Sequence, residues 1–196
     1  STETLPFFSS FSLLPTKLVA LTYPETNTSV KIYLFRDVKN VETIRNNIIK
    51  GIWKCAVIKP SLILDIFQVV VAANRAVVSE KYNTMVTKTV YSEILYNLSL
   101  TKNITQSLSK FGIEKDNSLL VCFLVKDTDE SEDIIKDIEG EKYPISDLSN
   151  FTNLKDIKST YKVNNIKSDI DLLDIIVSRM VTKTFFVLFN NNNIIM

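Results

Sequence analysis

The sequence predicts one α/β domain, a central mixed or antiparallel sheet flanked by helices. Three observations carry that class. The continuous apolar runs Cys55–Ile58 and Leu119–Val125 read as strands, the second covered on both faces. Longer segments repeat their apolar residues at helical spacing. With 196 residues, 45% hydrophobic and 23% charged, the chain can close one core without a disulfide or metal staple. The organisation expected is an N-terminal segment 1–16, a domain over 17–183 and a tail over 184–196.

Residues 17–22 and 30–35 read as two strands joined through Pro24-Glu25-Thr26-Asn27-Thr28-Ser29, which is turn chemistry, so a hairpin is expected. Asn40 reads as an N-cap before Val41, Ile44, Ile48 and Ile52, with Gly51 near the stop. Pro60 is expected to open the longest helix, which ends near Glu80. Its apolar residues form two stripes, so it should be buried on most sides. Tyr91–Leu98 fits either a short helix or a strand. Thr101 or Asn103 caps the next helix, which places Ile104, Leu108 and Phe111 on one face and stops at Gly112.

Five carboxylates, Asp127, Asp129, Glu130, Glu132 and Asp133, follow the strand Leu119–Val125. They lack the calcium-loop pattern and its glycine, so they read as a solvated loop and helix start. A helix over 133–139 should stop at Gly140, and another short one spans 153–161. Ser168 caps the last helix, with Asp169 and Asp171 at its start and Arg179 and Lys183 at its end, as the helix dipole favours. Leu173, Ile176, Val177 and Met180 form one stripe on it; Leu172, Ile175 and Arg179 form a second, beyond what a core needs. Residues 184–196, with the run Asn190–Asn193, are expected to be extended or disordered.

The absences narrow the function. The chain has no histidine, which removes Ser–His–Asp and Cys–His nucleophilic sites and His metal ligands. The three glycines, Gly51, Gly112 and Gly140, are too far apart for a phosphate-binding or dinucleotide loop. Cys55 and Cys122 sit in apolar runs and read as buried small hydrophobes in a reducing compartment. A net charge of +1 gives no global field for nucleic acid, although a local patch can exist. Residues 5–14 lack a basic leader and are broken by Ser and Pro, so no signal peptide is expected. No catalytic residue, metal ligand or cofactor is assigned, and composition favours a binding protein over an enzyme.

The middle of the chain resembles a known family. Thr87-Lys88-Thr89-Val90-Tyr91-Ser92-Glu93-Ile94-Leu95-Tyr96-Asn97-Leu98-Ser99 is followed by Asn103-Ile104, Lys110-Phe111-Gly112-Ile113 and Ser118-Leu119-Leu120-Val121. Together with Val71-Ala72-Ala73-Asn74-Arg75-Ala76 and Leu172-Leu173-Asp174-Ile175-Ile176-Val177-Ser178-Arg179-Met180, these residues are similar to the TPRKB family. That family is the small kinase-binding subunit of the KEOPS/EKC complex. The likeness spans roughly residues 30–182.

The resemblance implies a single α/β domain without catalysis or cofactor. It implies a contact with the atypical kinase PRPK and, through it, with the threonylcarbamoyl-transferring subunit. The complex modifies tRNA and, in fungi, is tied to telomere maintenance and transcription. The chain is then expected in cytoplasm and nucleus. Archaeal members imply a tRNA contact as well. The family's last helix supplies much of the kinase contact, which directs the interface expectation to Leu172, Ile175, Ile176, Arg179 and Met180. Arg75, Lys81, Lys88, Lys102 and Lys110 are the candidates for RNA phosphates. Glu93, alone among apolar neighbours, reads as a carboxylate satisfied by nearby backbone or an Arg.

Overall fold

The structure, a computed structural model, describes residues 27–165 and 169–191. The expected strand 17–22, the segment 1–16 and the Ser168 cap lie outside the described residues. In chain order the elements are β1 (Ser29–Arg36), α1 (Val41–Ile49), β2 (Ala56–Ile58), α2 (Ile66–Lys81), α3 (Val90–Leu98), α4 (Ile104–Phe111), β3 (Leu119–Val125), α5 (Ser131–Lys136), β4 (Glu141–Tyr143), α6 (Leu154–Thr160) and α7 (Asp169–Asn191). The strands are ordered β2-β3-β1-β4, and every neighbouring pair is antiparallel.

The register fixes which side chains share a face. Ser29 stands opposite Val125 and Phe35 opposite Leu119 across β1 and β3. Val30, Ile32, Leu34, Leu120 and Cys122 enter a core cluster with α2, α3, α4, α6 and α7. Tyr33, Phe35, Leu119, Val121 and Phe123 enter a second cluster with Ile44 of α1 and Ile135 of α5. The sheet is thus buried on both faces, which is why β3 reads as an unbroken apolar run and not as an alternation. Cys55 and Cys122 are free buried thiols, one in each cluster.

The long central helix begins later than the sequence suggests. Pro60–Leu62 is a single 3-10 turn, after which Ile63 is extended. Asp65 is the N-cap, accepting from the Phe67 amide at 2.8 Å, so α2 starts at Ile66. Leu62 and Ile63 still fill the core as apolar side chains. Inside α2, Gln68 is fully buried yet satisfied: its amide donates to the Tyr161 hydroxyl at 2.7 Å, and that hydroxyl donates to the Leu98 carbonyl at 2.7 Å. This chain of bonds ties α2, α3 and the end of α6 together.

Tyr91–Leu98 is helical because Thr89 and Ser92 form a capping box at its start. Asn103, not Thr101, caps α4 through the Gln106 amide at 3.0 Å. Gly112 does end α4, but its φ of −75° is ordinary. A Cβ there would lie 2.5 Å from the Leu108 carbonyl oxygen, so close backbone approach is what requires glycine.

Three further expectations are corrected. Asn40 makes no side-chain cap; its amide donates to the Asp137 carbonyl at 2.7 Å and its oxygen accepts from the Glu139 amide at 3.0 Å, tying the α5–β4 link to the start of α1. The helix expected over 133–139 occupies Ser131–Lys136, with the short strand β4 following Gly140. The tail expected to be extended or disordered is helical over 184–191, which makes the 23-residue α7 longer than α2, while 192–196 lie outside the described residues.

Candidate protein interface on the last helix

Helix α7 buries one column of side chains. Leu172 and Ile176 are fully buried and Met180 nearly so, spaced four residues apart, and all three belong to the core cluster. Lys183 continues the same column and is also buried. Asp174, Ser178 and Thr182 are exposed on the opposite side. Leu173 and Val177 flank the buried column on one edge, and Ile175 and Arg179 on the other.

The interface expectation is therefore corrected for Leu172, Ile176 and Met180: the chain itself covers them. The physical reason is the i, i+4, i+8 column, which cuts across the two stripes that the sequence suggested. Ile175 remains half-buried, packed against the edge of the core. Arg179 is exposed and donates to the Tyr161 carbonyl at 2.7 Å and the Lys162 carbonyl at 3.1 Å, so it pins α7 to the turn after α6. With α7 running on to Asn191, neither Arg179 nor Lys183 is at a helix end.

Lys183 takes a role the sequence did not signal. Its ammonium donates to the carbonyls of Tyr96 at 2.5 Å and Ser99 at 2.9 Å and lies 3.4 Å from the Tyr96 ring centroid. It thereby caps the C-terminal end of α3, where unpaired carbonyls and the helix dipole favour a cation. Burial lowers its pKa to about 7; Glu93 opposes the shift and Arg75 reinforces it. Arg75 also reaches α7, donating to the Val181 carbonyl at 3.0 Å.

Glu93 is buried and satisfied as expected. Its carboxylate accepts from the Val86 amide at 3.1 Å and from the Thr87 amide and hydroxyl, both at 2.7 Å. It holds the 86–89 connection against α3. The acidic run after β3 is likewise structural. Asp129 pairs with Lys31 and accepts from the Ser131 amide, and Tyr33 donates to Glu132 at 2.9 Å. Among the described residues no three Cys, Asp or Glu side chains converge as metal ligands.

The candidate phosphate contacts differ in burial and in what they touch. Arg75 is half-buried and committed to Val181. Lys81 lies 5.5 Å from the Tyr82 ring centroid, and Lys88 is exposed on the connection before α3. Lys110 lines an open groove of about 860 Å³ with Lys59 and Lys162, two lysines that sequence reasoning missed because they lie 51 and 52 residues from it in the chain. Lys102 is exposed beside Thr101, which lines the same groove.

Comparison with known proteins places this geometry. The family model described as kinase binding protein CGI-121 matches residues 35–184, from the last two residues of β1 into α7, with every element between them. The chain belongs to the CGI-121 family. It is 37% identical over 154 residues to the EKC/KEOPS complex subunit TPRKB of Danio rerio, covering 76% of this chain and 88% of that protein. It is 31% identical over 145 residues to the EKC/KEOPS complex subunit CGI121 of Yarrowia lipolytica, covering 72% of this chain and 83% of the relative. The CGI121 subunit of Candida glabrata is also 31% identical, over 140 residues. The CGI-121 match ends at Thr184, one residue beyond Lys183, so the column that docks α7 lies wholly inside the family region. Among the described residues, no helix of this family member is long and apolar enough to cross a membrane.

Proposed function

We propose that the chain is a non-catalytic subunit of a KEOPS/EKC complex that binds and regulates the small atypical kinase PRPK. In this reading it supports threonylcarbamoyladenosine modification of tRNA and, as in fungi, telomere maintenance and transcription. The kinase links it to the transferase subunit. The observation that carries the reading is the family match together with α7, a helix anchored by one buried column whose edge residues Leu173, Ile175 and Val177 are only half-buried. Ile175, with Arg179 beside it on the same edge, has the composition of an interface anchor.

The test is a pull-down of PRPK by the full chain carrying Ile175→Glu. Burying an unpaired carboxylate at the contact should lower affinity by about tenfold or more, with little change in melting temperature. Undiminished binding would remove α7 from the interface. Ile176→Glu cannot serve, because Ile176 is fully buried and its loss would unfold the chain.

A second reading, a module that positions the tRNA acceptor end, is favoured by the groove lined by Lys59, Lys110 and Lys162. Thr160 lines it too, and its hydroxyl is buried without a partner among the described residues. Charge reversal of Lys110 and Lys162 should flatten the salt dependence of tRNA binding by about two counterions.

A further inference from the structure

The end of α1 carries an apolar pair that the fold leaves uncovered. Ile49 is 75% exposed and Ile52 is 62% exposed, the two most exposed large hydrophobic side chains among the described residues. They are not on a loose loop. The Gly51 amide donates to the Ile48 carbonyl at 3.0 Å and the Ile52 amide to the Asn47 carbonyl at 2.9 Å, with Gly51 at φ +72°. This is the Schellman arrangement, in which the residue after the glycine normally folds its apolar side chain back onto the last turn. Here the two positions it would meet are Asn46 and Asn47. Ile52 therefore has no apolar seat of its own, while the neighbouring Trp53 is buried and fixes the turn.

The chain around the turn is cationic, although Lys54 turns to a groove that it lines together with Glu80, Asp127, Asp129 and Glu130. Between Glu42 and Asp65 the sequence holds Arg45, Lys50, Lys54 and Lys59 and no carboxylate. Among the described residues, Arg45, Lys50 and Lys54 form no ion pair. We infer that the α1 terminus, with Ile49 and Ile52 as anchors and Arg45 and Lys50 as its rim, is a docking site for a short acidic segment of a partner protein that carries apolar residues between its carboxylates. The rim selects that occupant. A two-fold contact with a second copy would set the same cations against each other, and the apolar area falls far short of the roughly 800 Å² per partner of a stable dimer. α1 packs on the sheet face opposite α7, so the site is separate from the proposed kinase contact.

The experiment titrates the isotope-labelled full chain with the synthetic peptide Glu-Asp-Leu-Glu-Asp-Leu-Leu-Asp-Glu and follows backbone amides by NMR. The expected result is saturable shifts centred on Ile49, Gly51 and Ile52. Binding should weaken about tenfold in the Ile49→Ser, Ile52→Ser double variant. Both side chains are exposed, so that variant should keep its melting temperature and its PRPK binding. Arg45→Glu with Lys50→Glu should reverse the preference toward a peptide with lysines in place of the acids. Shifts centred elsewhere, equal binding of a control peptide with Gln and Asn in place of its Glu and Asp, or indifference to the double variant overturns the inference. So does finding that the isoleucines instead drive self-association in sedimentation or adsorption to vesicles of anionic lipid.

Discussion

Lys183 joins α7 to the end of α3 through one ammonium, and its environment has a consequence for stability. Its pKa in the folded chain is about 7, whereas an unfolded lysine titrates near 10.4. Between those values the unfolded chain holds a proton that the folded chain lacks, so stability rises with pH from about 7 to about 10 and is flat below. Urea midpoints measured across that window should show the slope in the wild type and lose it in Lys183→Met. Ile176 and Ile175, adjacent in sequence, should differ sharply: Ile176→Ala should cost about 3 kcal/mol in chemical denaturation, and Ile175→Ala at most about 1. Glu93 was legible from sequence because a lone acid among apolar residues must be paired. Lys183 and Asn40 were not. The partners of Lys183 lie 84 and 87 residues away, and Asn40 sits beside an apolar-periodic segment that made a cap the local reading.

At the scale of elements, local chemistry decides the helix starts. Thr89→Ala should destabilise the chain by about 1 kcal/mol, because it removes one half of the capping box, and a shift in thermal midpoint would measure it. Types of element were readable where a cap or a long period marked them: β1, β3, α4 and α6 fall where the pattern puts them. The start of α2 was misread because Pro60 is a good first helical residue, and the Asp65 cap that actually begins the helix was overlooked. The three-residue β4, Glu-Lys-Tyr, carries no apolar alternation at all; its pairing with Leu34–Arg36 is a tertiary event. The end of α7 was misread for a different reason. Phe185–Phe189, Asn190 and Asn191 have weak helix propensity, but a helix already formed adds residues without a new nucleation cost.

At the scale of the whole molecule, the two-sided burial of the sheet was legible from the apolar runs, and the family from its scattered motifs. The assignment of α7 side chains to inside or outside was not, because a helix with apolar residues on several sides does not announce which column the core takes. Binding of a partner to the native chain alone must raise its melting point by mass action. Saturating PRPK, at about one hundred times its dissociation constant, should therefore stabilise the chain by about 2.7 kcal/mol, readable as a shift in a thermal scan of the complex. The sheet also settles how its two coverings relate. Among the described residues, five helices lie against one side and two against the other, with a close-packed wall between. The two proposed contacts, at the outer edge of α7 and at the tip of α1, thus face opposite directions, and a partner seated on one should leave room for a partner on the other.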